Sequence, residues 1–196
     1  MSKNILWTII VVAVIAIIGF WMAGKYNSMV TEQENVETSW GQVENQYQRR
    51  MDLIPNLVAV VKGYATHEKE TLEGVINARA KATQITVNAD DLTEEQLKAF
   101  QEAQGELSQA LGRLMAVSEA YPDLKANENF KDLQTQLEGT ENRITVARNT
   151  FNEQARVYNT LIRQFPNNIV AGIFGFKKKP YFEAEAGAEK APKIEF

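Results

Sequence analysis

The sequence has no cysteine and only one histidine, His67. Without cysteine the chain cannot form disulfides, thiolate metal sites or the lipid-modified cysteine of a lipoprotein. Zinc, iron and copper sites usually need several histidine or cysteine ligands, and helical di-iron bundles carry Glu-x-x-His on two helices. A Ser-His-Asp triad around His67 would lack the GxSxG turn that often carries the serine. We therefore predict no metal, no cofactor and no catalytic residues, and we interpret His67 as a surface or bundle-end residue.

The sequence also lacks glycine-rich phosphate loops and an excess of basic residues. Neither GxxxxGK[ST] nor GxGxxG occurs, which argues against a nucleotide-binding enzyme. The 196 residues carry a formal net charge of -4 and the isoelectric point is about 5.2. This balance offers no basic face to nucleic acid. We expect neither an enzyme nor a nucleic-acid partner.

The chain does contain a long uncharged apolar run, residues 5–24, with the sequence ILWTIIVVAVIAIIGFWMAG. As a helix rising about 1.5 Å per residue, this run spans the roughly 30 Å hydrocarbon core of a bilayer. A cleaved signal usually has a shorter apolar core of about 7–15 residues and a small-x-small cleavage site. Trp7 and Trp21 lie near the two ends, where indole rings favour the headgroup level. We predict a permanent single-pass anchor in a lipid bilayer; Lys3 and Lys25 flank it on either side, so the sequence leaves its orientation open.

After the anchor, apolar residues recur at helical spacing, which predicts a first long helix with one buried stripe running to about Ala80. Pro55 falls inside this run, where it removes a backbone donor and crowds the preceding turn. A kink or a break is therefore expected near Ile54. Arg49, Arg50 and Asp52 are interpreted as the groups that cap the carbonyls left free by this proline.

Two further helices follow. Residues 85–92 lose the helical period and predict a loop, and residues 93–96 (TEEQ) fit a capping box at the start of the second helix. Pro122 ends that helix, and the third helix is expected to begin near Asn127 and to end at Pro166. No stretch of this region has the alternation of a strand. The fold class is therefore all-α: a transmembrane helix followed by an elongated antiparallel bundle of three to four long helices.

The composition divides the chain into five regions. These are a short N-terminal segment (1–4), the anchor (5–24), the helical bundle (25–166), an apolar and basic segment (167–182), and a flexible acidic tail (183–196). The apolar part of the fourth region, residues 169–176 (IVAGIFGF), is too short to cross a bilayer as a helix. It either caps the end of the bundle, the interpretation we favour, or inserts shallowly beside anionic headgroups. In the second case the membrane contact would be made by Ile173, Phe174, Phe176, Lys177, Lys178 and Lys179.

The third helix carries polar residues beside its apolar stripe, among them Glu141, Arg148, Asn152 and Asn159. Asn152 and Asn159 are seven residues apart, so both can face the same neighbour. These four residues could form a recognition face for a partner. Alternatively they form satisfied hydrogen bonds within the bundle and fix its register, which we favour.

Three blocks of the sequence closely resemble the LemA family of bacterial proteins. They are the blocks RRMDLIPNLV, TENRITVARNTFN and FPNNIVAGIFGFKKKPYF, which occur here in the order typical of that family. The resemblance covers nearly the whole chain after the anchor. It implies a single-pass membrane protein with a bundle of long helices, a short N-terminus outside and the body in the cytoplasm. It supplies no catalytic residues, because the family has no agreed active site and a poorly defined molecular role.

The leading hypothesis is a non-enzymatic, membrane-anchored helical scaffold that acts through contacts with a protein partner, with other copies of itself, or with the membrane. Long amphipathic helices can pack within one chain or between chains, so self-assembly into a homo-oligomer is one form of this hypothesis. A first alternative is a ligand-binding or enzymatic domain with a site between helices, around Glu141 and Arg148. A second alternative is a membrane-remodelling protein that acts through the C-terminal apolar segment.

Overall fold

The computed structural model describes residues 3–183, and all regular structure within that range is helical. The helices are α1 (Lys3–Tyr64), α2 (Lys69–Gln84), α3 (Glu94–Ser118), α4 (Pro122–Ala126), α5 (Glu128–Arg163) and α6 (Asn167–Phe174). The predicted all-α fold is confirmed. Most of the predicted acidic tail, and the first two residues of the predicted N-terminal segment, lie outside the described residues.

The four longer helices form an up-down-up-down bundle. α1 packs mainly on α5, and α2 mainly on α3. Trp40 of α1 faces Phe151 of α5, and Arg50, further along α1, pairs with Glu141, which comes earlier on α5. α1 and α5 are therefore antiparallel. The short helix α4 connects α3 to α5, and α6 contacts both α5 and α1.

The break in the first helical run lies after Tyr64, between α1 and α2, and not near Pro55 as the sequence suggested. Pro55 is exposed within α1, so its ring does not disturb the packed face. Its missing N–H leaves the Met51 carbonyl without the usual i+4 donor. Arg79 of α2 supplies a donor instead, with its Nε 3.0 Å from that carbonyl oxygen. The proline is thus accommodated because a neighbouring helix replaces the lost hydrogen bond.

The capping role expected of Arg49, Arg50 and Asp52 is consequently wrong for Arg50. Its guanidinium makes hydrogen bonds with residues of α3 and α5 instead. The Asp52 carboxylate accepts a hydrogen bond from Gln48 one turn earlier on the same helix, at 2.7 Å. The need for a donor could be predicted from Pro55 itself, but the donor could not be identified, because Arg79 lies in a distant part of the chain.

Both predicted helix starts are confirmed. Thr93 accepts a hydrogen bond from the Gln96 N–H at 3.2 Å, and the Gln96 side chain accepts one from the Thr93 N–H at 3.0 Å. Asn127 caps α5 by accepting a hydrogen bond from the Phe130 N–H at 3.0 Å. Each cap satisfies backbone donors that lack a partner within the helix, so these residues locate the start of their helices.

The N-terminal part of α1 extends beyond the bundle. Its most apolar 18-residue window has a mean hydropathy of 2.7 and is not buried by the rest of the protein. α1 is therefore long and apolar enough to cross a membrane. The first residues of the bundle follow without a break in the helix, and α6 packs against α1 at this same end.

Candidate functional site

Residues 176–183, here called the C-terminal strap, follow α6 without regular secondary structure and lie along α5. The change of direction occurs at Gly175, whose φ of 77° is in the left-handed region that favours glycine. Gly175 also ends α6 by donating its N–H to the Ala171 carbonyl. The chain is thereby turned from α6 back onto the bundle.

Two asparagines of α5 bind the backbone of the C-terminal strap in the same way. The Asn159 side chain accepts a hydrogen bond from the Lys179 N–H at 2.9 Å and donates one to the Lys179 carbonyl at 2.8 Å. Asn152 makes the same pair of bonds with Phe182, at 2.8 Å and 3.0 Å. Seven helical residues rise about 10.5 Å, and three extended residues span about 10 Å. The two repeats match, so one helix can hold an extended chain in register.

The end of the C-terminal strap is held by a carbonyl contact and by an aromatic cluster. The Glu183 carbonyl accepts hydrogen bonds from Arg148 at 2.9 Å and from Gln101 at 3.2 Å. The Arg148 guanidinium also lies 4.9 Å from the centre of the Phe182 ring. That ring stacks on Trp40 at 5.9 Å and meets Phe151 edge-on at 5.4 Å. Phe182 therefore completes the aromatic core between α1 and α5.

Glu141, the fourth residue of the predicted recognition face, pairs with Arg50. The Arg50 side chain is 2% exposed, and its Nη1 donates to Glu141 at 3.0 Å and to Ser108 at 2.9 Å. Its Nη2 donates to the side-chain oxygen of Gln104 at 2.5 Å and to the Gln104 carbonyl at 3.2 Å. A buried arginine requires such partners. Arg50 thus joins α1, α3 and α5 in one polar network.

Arg148, Asn152 and Asn159 of α5 therefore all bind the backbone of the C-terminal strap. Glu141 belongs to a separate network, that of Arg50. A cavity of about 750 Å³ lies beside both, lined by polar groups that include Arg50, Gln104, Ser108, Glu141 and Arg148. Two buried nitrogens at this site, Arg50 Nε and Gln104 Nε2, have no hydrogen-bond partner among the described residues. The cavity holds acidic and basic side chains together, so its lining does not favour one sign of charge.

The six residues of the predicted membrane contact lie at the end of the bundle from which the apolar part of α1 emerges. The Phe174 and Phe176 rings lie 4.8 Å and 5.6 Å from the ring of Tyr26. Ile173 and Phe174 are exposed, and Phe176 is half-buried. Lys177 and Lys178 are exposed as well.

Lys179 differs from its two neighbours because it is buried. Its ammonium donates to the carbonyls of Ala89 and Asp90, at 2.7 Å and 2.8 Å, and so ties the C-terminal strap to the loop before α3. The Glu37 carboxylate lies 3.9 Å away. Lys179 therefore cannot reach a lipid headgroup in this conformation.

Burial changes the pKa of two ionisable groups at this end of the bundle. It lowers the pKa of Lys179, and the nearby carboxylates of Glu37, Asp90 and Asp91 oppose that effect. Burial, with a smaller contribution from Glu37, raises the pKa of Tyr158 to about 12. Both shifts follow from packing between helices and require no catalytic arrangement.

Sequence reasoning missed the role of Arg50 and the burial of Lys179. Arg50 lies three residues after Tyr47 and four before Ile54, within the apolar stripe of α1, and that position was a usable signal. Lys179 gave no such signal, because it stands in a run of three lysines. Across residues 3–183, no group of three or more histidine, cysteine, aspartate or glutamate side chains could hold a metal ion.

The structural class is a membrane-span helix joined to a helical bundle. The helix with the candidate membrane span continues without interruption into a four-helix bundle, and the C-terminal strap of the same chain closes that bundle. The LemA family model matches residues 39–196, and the chain belongs to the LemA family. The family resemblance of the three sequence blocks is thereby confirmed.

Curated relatives include magnetosome proteins. The magnetosome protein MamQ 2 of Paramagnetospirillum magneticum is 29% identical over 200 residues, which cover 92% of this chain and 74% of that protein. MamQ of Magnetospirillum gryphiswaldense is 29% identical over 207 residues, covering 95% and 76%. Protein LemA of Metamycoplasma hominis is 25% identical over 170 residues, covering 87% and 74%.

Proposed function

We propose that this protein is a non-enzymatic, membrane-anchored helical scaffold that presents its bundle to a protein partner or to further copies of itself. Residues 5–24 are the anchor. The observation that carries the proposal is the continuity of α1, which runs from the apolar segment into the bundle as one helix. A bundle joined to its anchor in this way is held close to the bilayer, where a scaffold would act. The names of the relatives describe magnetosome proteins and LemA, and none names a reaction.

The surface that best fits a protein partner is a groove between α1 and α5, here called the amide groove. Its cavity of about 430 Å³ is lined mainly by uncharged side chains, including Gln42, Asn45, Asn142 and Val146. Val146 is 65% exposed, and the buried Oε1 of Gln46 has no hydrogen-bond donor among the described residues. An unpaired buried acceptor costs free energy, which a donor from a docked chain would recover. The exposed apolar area can pack against the apolar face of a second helix, and the side-chain amides beside it can both donate hydrogen bonds to that helix and accept them from it.

Crosslinking in intact cells tests this proposal. A photoreactive residue at position 146, in the amide groove, should give a specific adduct, either with a partner or with a second copy, that mass spectrometry identifies. A photoreactive residue at position 76 is the matched control, because Ile76 is also exposed, at 50%, but lies on α2. Equal adducts from both positions, or none from position 146, would count against the amide groove.

Two further measurements complete the test. Protease added to intact spheroplasts should leave the bundle uncut, since the family resemblance implies a cytoplasmic body. Size-exclusion chromatography with light scattering on detergent-extracted protein separates the two kinds of partner. A particle larger than one chain supports self-association, and a strictly monomeric particle leaves a different protein as the partner.

A second candidate function is ligand binding in the cavity beside Arg50. The two buried nitrogens without partners favour it, because a small acceptor such as a carboxylate or a water molecule could satisfy both. Ligand-observed NMR with small carboxylates tests this on the full chain. Ser108→Val removes a polar group from the lining and should weaken any such binding. If no carboxylate binds either protein, this candidate fails.

A further inference from the structure

Helix α6 presents an apolar face that the rest of the described chain leaves open. Ile169 and Ile173 are four residues apart, and so on the same side of the helix, and they are 53% and 62% exposed. Phe165, just before the helix, is 81% exposed, and Phe174, at its end, is 52% exposed. The opposite side of the helix is buried against the bundle. We call these four exposed residues the α6 face.

The α6 face lies beside the point where the apolar segment of α1 ends. The ring of Phe174 is 4.8 Å from the ring of Tyr26, which stands two residues after Gly24, about 3 Å along the helix. The interfacial layer on each side of a bilayer core is about 5–7 Å thick. When residues 5–24 cross the membrane, the α6 face is therefore at the depth of the headgroups.

α6 is also fixed in this place. The C-terminal strap that follows it is bound to α5 through Asn159 and to the loop before α3 through Lys179. On its N-terminal side, the Asn167 side chain donates to the Leu161 carbonyl of α5 at 3.2 Å. With attachments before and after it, the helix cannot turn its apolar face inward without breaking them.

The charges around the α6 face do not select anionic lipid. Lys177 and Lys178 line a cavity of about 710 Å³ at this end of the bundle, but Glu34, Asp90 and Asp91 line it too. The third lysine, Lys179, is buried. Carboxylates and ammonium groups on the walls of one cavity match a headgroup that carries both charges. We therefore expect a lipid that carries both charges at this site, whereas the sequence pattern alone had indicated anionic headgroups.

We propose that the α6 face is a second membrane contact, inserted at the boundary between headgroups and acyl chains of zwitterionic phospholipid. This inference rests on the proposed anchor, because the anchor brings α6 to that depth. Apolar area drives such shallow insertion of a short helix. Two attachments, the anchor and the α6 face, set the orientation of the bundle relative to the membrane, whereas the anchor helix alone could tilt and rotate in the bilayer.

Quenching by brominated lipid tests the proposal on the full chain in vesicles of zwitterionic phospholipid. Trp7 and Trp21 are replaced by phenylalanine, and a reporter is introduced as Ile173→Trp. The remaining Trp40 is buried and lies about 24 Å from Gly24 along α1, so it supplies a constant background. Ile76→Trp is the matched control. Arg79 of α2 bonds Met51, which lies about 40 Å from Gly24 along α1, and Ile76, three residues before Arg79, is about 45 Å from the anchor. We expect several-fold stronger quenching of the Ile173→Trp reporter than of the control.

Two further experiments separate insertion of the apolar side chains from attraction to anionic lipid. Ile169→Asp places a charge on the α6 face and should reduce quenching of the Ile173→Trp reporter to the level of the control. Replacing a third of the lipid by an anionic phospholipid should change the quenching less than twofold. Quenching that appears only with anionic lipid, or that equals the Ile76→Trp control in every vesicle, would overturn the proposal. Flotation of the same samples shows separately whether the anchor holds, so failure of the second contact is distinguished from failure of the anchor.

Discussion

Removing the Asn159 side chain should destabilise the protein strongly, because two buried backbone groups lose a hydrogen-bond partner at once. Asn159 is 1% exposed and bonds both the N–H and the carbonyl of Lys179, at 2.9 Å and 2.8 Å. Each buried group left without a partner costs about 1–3 kcal/mol. Alanine is the better helix former, which returns about 0.5 kcal/mol. For Asn159→Ala we therefore expect a loss of about 1.5–5.5 kcal/mol in the free energy of unfolding.

The measurement is denaturant unfolding of the full chain in detergent micelles, followed by far-ultraviolet circular dichroism. Asn149→Ala is the matched control, since Asn149 is exposed on the same helix, and it should be neutral or stabilised by about 0.5 kcal/mol. Asn152→Ala should fall between the two, because Asn152 is only half-buried. Hydrogen exchange of the Lys179 amide should accelerate in Asn159→Ala. A difference below about 0.5 kcal/mol between Asn159→Ala and the control would refute the argument that this side chain secures the C-terminal strap.

Three other perturbations test the packing described above. Arg79→Ala should lower the free energy of unfolding by about 1–2 kcal/mol. In a Pro55→Ala background the loss should be much smaller, because the restored N–H of residue 55 bonds the Met51 carbonyl. Additive effects in that double-mutant cycle would contradict the role of Arg79. Glu141→Gln should destabilise by about 1–2 kcal/mol by removing a charged partner of Arg50, and the difference should shrink in high salt because Glu141 is half exposed. Between pH 10 and 12 the free energy of unfolding should fall, since an unfolded tyrosine ionises near pH 10 and folded Tyr158 near 12; Tyr158→Phe should flatten this fall, and an unchanged slope would refute it.

Features that depend on neighbouring residues could be predicted from the sequence. The capping box at Thr93 and the cap at Asn127 are local hydrogen-bond patterns, and both start a helix where expected. The predicted start near Asn127 and end at Pro166 likewise agree with a single long helix, α5. These signals act within one or two turns, so one sequence is enough to locate them.

Features that depend on distant contacts could not be predicted. Pro55 looked like the break in the first helix because its effect on its own turn is strong, whereas the compensating Arg79 lies 24 positions later and on another helix. The partners of Asn152 and Asn159 could not be identified from the sequence for the same reason. Their spacing indicated a shared neighbour, but an extended chain as that neighbour became visible only once the C-terminal strap had been placed.

Membrane extraction of the full chain tests whether residues 5–24 anchor the protein in a bilayer. Membranes from cells that produce the protein are washed at alkaline pH, and the chain is located by immunoblot and its N-terminal peptide by mass spectrometry. We expect the protein to stay in the membrane fraction with residues 5–24 intact, and to move to the soluble fraction only when this segment is deleted. Recovery of the chain in the soluble fraction with its N-terminal segment removed by cleavage would contradict it.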